Sequence, residues 1–324
     1  MSRIDSPSYA VTGLDSFWGL ELAERLVGRS GGAKVLGLDL SRPAALDSRV
    51  DFEFLDLTNA RADDVLAGFL EAHGVDVLVH LAFKQSPGSQ HEYDRELEVD
   101  GSARVLRASA AAGLSRFVMA STTMGYGPGP ENPNYLAESR TLAGHPRAHC
   151  VQNRVEVEHA VQAWSQSHSE TQVTVLRHCW PMGPRYRNYV HHALEGPVVT
   201  TCLGYDPLLQ FIHEEDLLNV YEEAAIAAHP GTFNVVGRGA MPLSRLLSVA
   251  GKRRLPLPAR LLDRAVDLGL SLDFGDDPSG FYDYLRYLWV ADGGRGWAEF
   301  GEPVYSTSEA WLAFAAASRE ARQD

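Results

Sequence analysis

Tyr9-Ala10-Val11-Thr12-Gly13-Leu14-Asp15-Ser16-Phe17-Trp18-Gly19 runs from four small, branched or aromatic residues through a glycine into a stretch whose apolar positions recur at three and four. Period two followed by period 3.6 reads as a strand over 9–12, a sharp turn, and a helix over 17–27. The alternation repeats downstream. Short branched or aromatic runs at 34–39, 52–55, 75–81, 116–121 and 173–177 read as strands, with amphipathic helices at 62–72, 92–112 and 151–167 between them. Six strands joined through helices predict an α/β fold, a doubly wound parallel sheet of Rossmann-like type. In such a sheet ligands bind outside the carboxyl ends of the strands.

After Trp180 the pattern loosens, with prolines at 181, 184, 197, 207, 230 and 242, a helix near 215–228 and a strand at 232–236. This half reads as a smaller substrate-binding lobe, residues 180–324, folded over a sheet domain of residues 1–179. Segments near 205–236 are expected to return to the sheet domain. Residues 255–272, opened by Pro256 and Pro258, read as a partly buried helix. Ser306 with Glu309 forms a capping box before a closing helix.

The chain has 324 residues, 45% hydrophobic and 22% charged, which is globular composition. Its net charge of −13 argues against nucleic acid and anionic membrane surfaces as general partners, because counterion release needs a basic footprint. Cys150, Cys179 and Cys202 are too few and odd in number for a disulfide framework, so a reducing compartment is expected. The first seven residues carry no apolar run of the kind a secretion signal needs, and no run of 18 apolar residues occurs. The expectation is a soluble cytoplasmic protein with a small-molecule substrate.

The turn after the first strand carries chemistry as well as shape. Gly13 lets the backbone bend sharply, and the amino terminus of the following helix offers unpaired N–H groups and a positive dipole end to a pyrophosphate. Asp39 closes the second strand 26 positions after Gly13, where a carboxylate can accept both hydroxyls of an adenosine ribose and repel a 2′-phosphate. The pair points to NAD ahead of NADP. Arg42 is the opposing signal, since a guanidinium there can bind that phosphate.

Thr12-Gly13 to Gly19, Asp39, Asp56-Leu57, His80-Leu81-Ala82 and Ala111-Ala112-Gly113-Leu114-Ser115-Arg116-Phe117-Val118 stand in a fixed order. Ser121-Thr122 with Tyr126-Gly127, Gly183-Pro184-Arg185, Phe211-Ile212-His213 with Asp216, and Phe233-Asn234-Val235 continue it. In order and spacing, over nearly the whole chain, this resembles the extended short-chain dehydrogenase/reductases, specifically the NAD-dependent epimerase/dehydratase group. The resemblance implies a Rossmann-like lobe, a smaller substrate lobe, bound NAD, and a homodimer through the two long helices flanking the fifth strand. It implies cofactor contacts from Gly13, Ser16, Gly19, Asp39, Asp56, Leu57, Leu81, Ala82 and Phe83. Phe17, Trp18, Arg42, Arg154 and His178 join them as candidates by position.

The departures from the family pattern fall on the chemistry. The middle glycine of Gly-x-x-Gly-x-x-Gly is Ser16, whose hydroxyl can still donate to phosphate. The family's Tyr-x-x-x-Lys is Cys150-x-x-x-Arg154, and its asparagine on the preceding helix is Glu98. In the family mechanism a tyrosinate beside a lysine takes a proton from a substrate hydroxyl as hydride leaves for NAD. A thiol, with a pKa of about 8.5, can act as base or nucleophile but not at the phenol's location. Arginine can replace lysine's bonds to the nicotinamide ribose, yet it stays charged and cannot relay a proton. Thr122 keeps the family's hydroxyl. The candidates for catalysis are therefore Thr122 for the substrate oxygen, Arg154 for the ribose, and Cys150 or Tyr126 for the proton.

Other clusters read as structural. His149-Cys150 and His178-Cys179 contain ligand-type residues, but adjacent side chains diverge, and no metal is expected. His213-Glu214-Glu215-Asp216 starts a helix, with acids at its positive end. Where relatives that bind nucleotide sugars often carry an arginine just before Phe-Ile-His, this chain has Leu209-Gln210. Three readings stay open: an NAD-binding oxidoreductase acting on a small alcohol, ketone or sugar; a cofactor-independent isomerase, cyclase or lyase; and a non-catalytic dinucleotide sensor or partner subunit.

Overall fold

The computed structural model describes residues 7–29, 33–84, 90–267 and 280–322. Its first half winds β1 (Tyr9–Thr12), α1 (Phe17–Gly28), β2 (Val35–Asp39), β3 (Val50–Phe54), α2 (Ala62–Ala72) and β4 (Val77–His80). Next come α3 (His91–Arg95), a π-helical turn (Glu96–Asp100), α4 (Gly101–Ala112), β5 (Arg116–Thr122), α5 (His149–Ser167) and β6 (Gln172–His178). The second half supplies β7 (Trp180–Met182), α6 (Tyr189–Glu195), β8 (Val198–Cys202), β9 (Leu208–Leu209), β10 (Phe211–His213), α7 (Glu214–Ile226) and β11 (Gly231–Val235). It ends with β12 (Met241–Pro242), α8 (Leu243–Val249), β13 (Arg253–Leu257), α9 (Ala259–Asp267), α10 (Phe281–Tyr284), α11 (Gly294–Phe300) and α12 (Thr307–Glu320).

Seven parallel strands lie in the order β11-β6-β5-β4-β1-β2-β3. The chain winds outward from β1 to β3, then returns to place β4 on the other side of β1. That reversal opens a crevice at the carboxyl ends of β1 and β4. Both strands are buried on both faces, as expected where helices cover each side of a parallel sheet. One core layer holds Leu22 and Leu26 of α1, and the other holds Leu66 and Leu70 of α2 with Val105 of α4. Ion pairs of Arg25 with Glu215 and of Arg29 with Glu222 tie α1 to α7.

The doubly wound sheet expected from the sequence is present, with a seventh strand, β11, drawn from the second half. The helix expected over 92–112 divides into α3, the π-helical turn and α4. In that turn Ser102 Oγ donates to the Glu98 carbonyl oxygen and Gly101 packs tightly on Leu57. Residues 255–257 belong to a strand instead of a helix, because β13 pairs with β8 and Pro256 and Pro258 bar helical bonding there. Residues 268–272 of that expected helix lie outside the described residues. The Ser306/Glu309 capping box is formed at the start of α12. Among the described residues no helix is long and apolar enough to cross a membrane.

Candidate active site

The crevice begins at the Gly13 turn. Gly13 has φ +76°, and a Cβ there would lie 2.6 Å from the Leu81 carbonyl oxygen. At Gly19 a Cβ would collide with the Gly13 carbonyl, so helix and turn approach closely only through two glycines. Ser16 caps α1: its Oγ accepts from Gly19 N at 3.0 Å and donates to the Gly13 carbonyl at 2.7 Å. Its hydrogen is thus spent inside the turn, which corrects the expectation of a hydroxyl left for phosphate. The N–H groups of Phe17 and Trp18, in the first turn of α1, take no intrachain partner among the described residues.

Asp39 sits across from this turn, accepting from Asp15 N at 2.9 Å and from Leu40 N at 2.7 Å. Burial, with the Asp15 carboxylate beside it, pushes its carboxyl above the ordinary value despite those bonds. Gly13, Asp15, Ser16, Asp39, Leu57, Leu81, Ala82, Phe83 and Lys84 line a groove of about 760 Å³. Arg42 is exposed and outside this lining, and Asp56 turns to Thr58, accepting from its N at 2.9 Å and its Oγ1 at 2.7 Å.

Leu81, Phe83 and Lys84 also line a second cavity of about 730 Å³. It is bounded by Trp18, Thr122, Cys150, Arg154, His178, Tyr186, Tyr189 and Tyr221 among others. The groove and the cavity adjoin at these three residues. Arg154 lies flat over Phe83, 3.4 Å from the ring centroid, and donates through Nη1 to the Ala120 carbonyl at 2.9 Å. Among the described residues its Nε is buried without a partner, and burial lowers its pKa from the usual guanidinium value. An unsatisfied buried donor costs free energy unless a ligand completes it.

Around Arg154 the polar groups are held tightly. The Glu98 carboxylate accepts from Lys84 N and Asn153 Nδ2, both at 3.0 Å, and burial pushes its pKa up while Arg154 pulls it down. Thr122 Oγ1 accepts from Met124 N at 3.2 Å, which leaves its hydrogen to donate. His178, paired in register with Thr122, has Nδ1 2.8 Å from the Cys179 carbonyl oxygen. Burial, with Arg154 nearby, lowers its pKa to about 4. Cys150 lines the cavity, whereas Cys179 is buried and its thiol is pushed up to about 12.

The structure thus brings Thr122, Cys150, Arg154 and His178 to one cavity, and sets Tyr126 apart. The Tyr126 hydroxyl, in the core, donates to Asn234 Oδ1 at 2.7 Å and accepts from Arg177 Nη1 at 2.8 Å. Those bonds and its burial make it a structural residue, correcting its candidacy for proton transfer. Lys84, Asp15 and Tyr221 were missed by sequence reasoning. Lys84 directly continues the strand-end run His80-Leu81-Ala82-Phe83 and Asp15 lies in the quoted turn, so both were within reach. Tyr221 arrives from α7, and only the tertiary fold brings it here.

A model of the NAD dependent epimerase/dehydratase family matches residues 9–235. An uncharacterized protein of Mycobacterium tuberculosis is 29% identical over 311 residues, which is 93% of this chain and 81% of that protein. UDP-glucose 4-epimerase of Thermus thermophilus, solved in complex with NAD, superposes with a TM-score of 0.72 at 19% identity, covering 97% of this chain and 99% of that one. UDP-glucose 4-epimerase of Thermotoga maritima, solved with UDP-glucose, gives 0.71 at 18% identity, again with 97% and 99% covered. At these identities the superpositions show a shared fold.

Proposed function

Because the chain belongs to the NAD dependent epimerase/dehydratase family, we propose that it binds NAD across the adjoining groove and cavity and acts as an oxidoreductase on a small-molecule alcohol, ketone or sugar. The observation that carries this reading is the adjacency of the groove holding the Asp39 carboxylate and the cavity holding Arg154, whose Nε is unsatisfied among the described residues, across the shared Leu81, Phe83 and Lys84. The residues fit the group. Asp39 would accept the adenosine ribose hydroxyls, the Phe17 and Trp18 N–H groups would meet the pyrophosphate, and Arg154 would hold the nicotinamide ribose. Two carboxylates, Asp15 and Asp39, line the adenosine end while Arg42 stands outside it, which supports NAD over NADP.

When bound, NAD supplies a hydride acceptor. The chain's own residues orient the substrate and handle its proton: Thr122 donates to the substrate oxygen, and the aromatic walls exclude water. Leu209 is fully buried, and Gln210 spends its amide on the Gly237 carbonyl at 3.3 Å and the Ala291 N–H at 3.2 Å. Neither is placed to clamp a diphosphate. Lys84 pairs with Asp94 at 2.5 Å. The lining therefore supports a substrate without a nucleoside diphosphate handle.

Thermal unfolding with and without nucleotide tests the proposal. NAD at a hundredfold excess over its dissociation constant adds about 2.7 kcal/mol of stability, whereas NADP should add much less. Equal stabilisation by both would refute the selectivity, and stabilisation by neither would refute the binding.

A further inference from the structure

With no tyrosine at position 150, the proton of a substrate hydroxyl needs another destination. We infer that His178 Nε2 is the acceptor of that proton, acting opposite the Thr122 hydroxyl. The inference rests on reading this cavity as the substrate site, but it does not depend on NAD.

The tautomer follows from the geometry. A carbonyl oxygen only accepts, so the 2.8 Å contact between His178 Nδ1 and the Cys179 carbonyl places the ring hydrogen on Nδ1. The neutral ring then carries a bare lone pair on Nε2, for which no intrachain partner exists among the described residues. The ring lines the same cavity as Thr122, and the two residues are direct neighbours on β5 and β6. Thr122 Oγ1 already accepts from Met124 N, so its own hydrogen is available to the substrate oxygen. One hydroxyl group of a substrate can then accept from Thr122 and donate to His178. In the transfer, the substrate O–H bond breaks with its electron pair left on oxygen, and an N–H bond forms at Nε2 to give an imidazolium. The reverse transfer returns the proton from Nε2 to the substrate oxygen.

The phenols and cations that line the cavity are poor proton acceptors. Burial pushes Tyr186 up to about 12 and raises Tyr189 and Tyr221 from the usual phenol value, so these remain donors. Arg154 is a standing cation, and the Lys84 ammonium is paired with Asp94. His178 is kept neutral at pH 7 by burial and by Arg154, while Tyr221 meets the ring edge-on from α7. Its second nitrogen holds the ring in one orientation with the lone pair of Nε2 unprotonated.

The test is nitrogen NMR of the whole chain labelled with 15N-histidine, without NAD, using 2,2,2-trifluoroethanol as the hydroxyl probe and His178→Phe for assignment. The expected result is a neutral ring protonated on Nδ1, an Nε2 resonance that moves upfield as the probe is added, and about tenfold weaker probe binding in His178→Phe. A hydrogen on Nε2, an Nε2 signal unmoved by the probe, or a shift that disappears in Cys150→Ala would overturn the inference. Since no NAD is present, a failure of NAD to bind would leave this result standing.

Discussion

Mild acid should unfold this protein through histidines that the fold keeps neutral. His80 is fully buried below the crevice, with Nδ1 2.7 Å from Thr12 Oγ1 and Nε2 2.8 Å from Ser102 Oγ. Ser102 spends its hydrogen on the Glu98 carbonyl, so it must accept from His80 Nε2–H, and Thr12 donates to Nδ1. A second proton on the ring would confront the Thr12 donor. Burial lowers His80 to about 3 from an unfolded value of 6.5, and lowers His191 likewise to about 3. The unfolded chain therefore binds more protons than the native one between those values, and stability falls as pH drops through that window. At about pH 5 each histidine costs roughly 2 kcal/mol relative to neutral pH, about 4 kcal/mol together, at 1.36 kcal/mol per pH unit below 6.5. That is a large share of the 5–15 kcal/mol typical of a domain. His178 acts in the same direction, and Glu98 and Asp39, raised by burial, act against it. Urea denaturation at neutral pH and at about pH 5, followed by tryptophan fluorescence, gives the net loss. His191→Gln isolates the histidine share by shrinking the loss by about 2 kcal/mol. Equal stability at both pH values, or the same loss in wild type and variant, would refute the reasoning.

Gly13→Ala must place a methyl 2.6 Å from the Leu81 carbonyl at positive φ. A stability loss of at least about 2 kcal/mol and loss of NAD-induced stabilisation are expected in thermal unfolding. Arg177→Met strands the fully buried Glu158 carboxylate and should cost about 3–5 kcal/mol in urea denaturation. Adding Glu158→Leu should recover most of that. Arg154→Met removes a cation that lowers the His178 pKa, so His178 should titrate above its present value of about 4, read by NMR.

The sheet was legible because its strands are short apolar runs separated by helical periods, and the glycine turn with Asp39 marked the crevice. Ser16 misled because a side chain near a phosphate site was read outward, whereas capping the helix turns it inward. Tyr126 misled because proximity in sequence to Thr122 ignores the 3₁₀ turn over Thr123–Tyr126, which sends the ring into the core. The π-helical turn at Glu98 carries no periodic signature, and its carboxylate finds Lys84 and Asn153 only in the folded chain. The strand over 253–257 was hidden by Pro256 within it, Pro258 just after it, and the helical pattern that follows.

The central claim is that the crevice from Asp39 to Arg154 holds NAD beside a centre lacking the tyrosine–lysine pair. A crystal structure of the protein soaked with NAD tests this most directly. The account predicts the adenosine ribose on Asp39, the pyrophosphate at the Phe17 and Trp18 amides, and the nicotinamide end between Arg154, Thr122 and His178. A crevice left empty at saturating NAD, or a dinucleotide bound elsewhere, would contradict it.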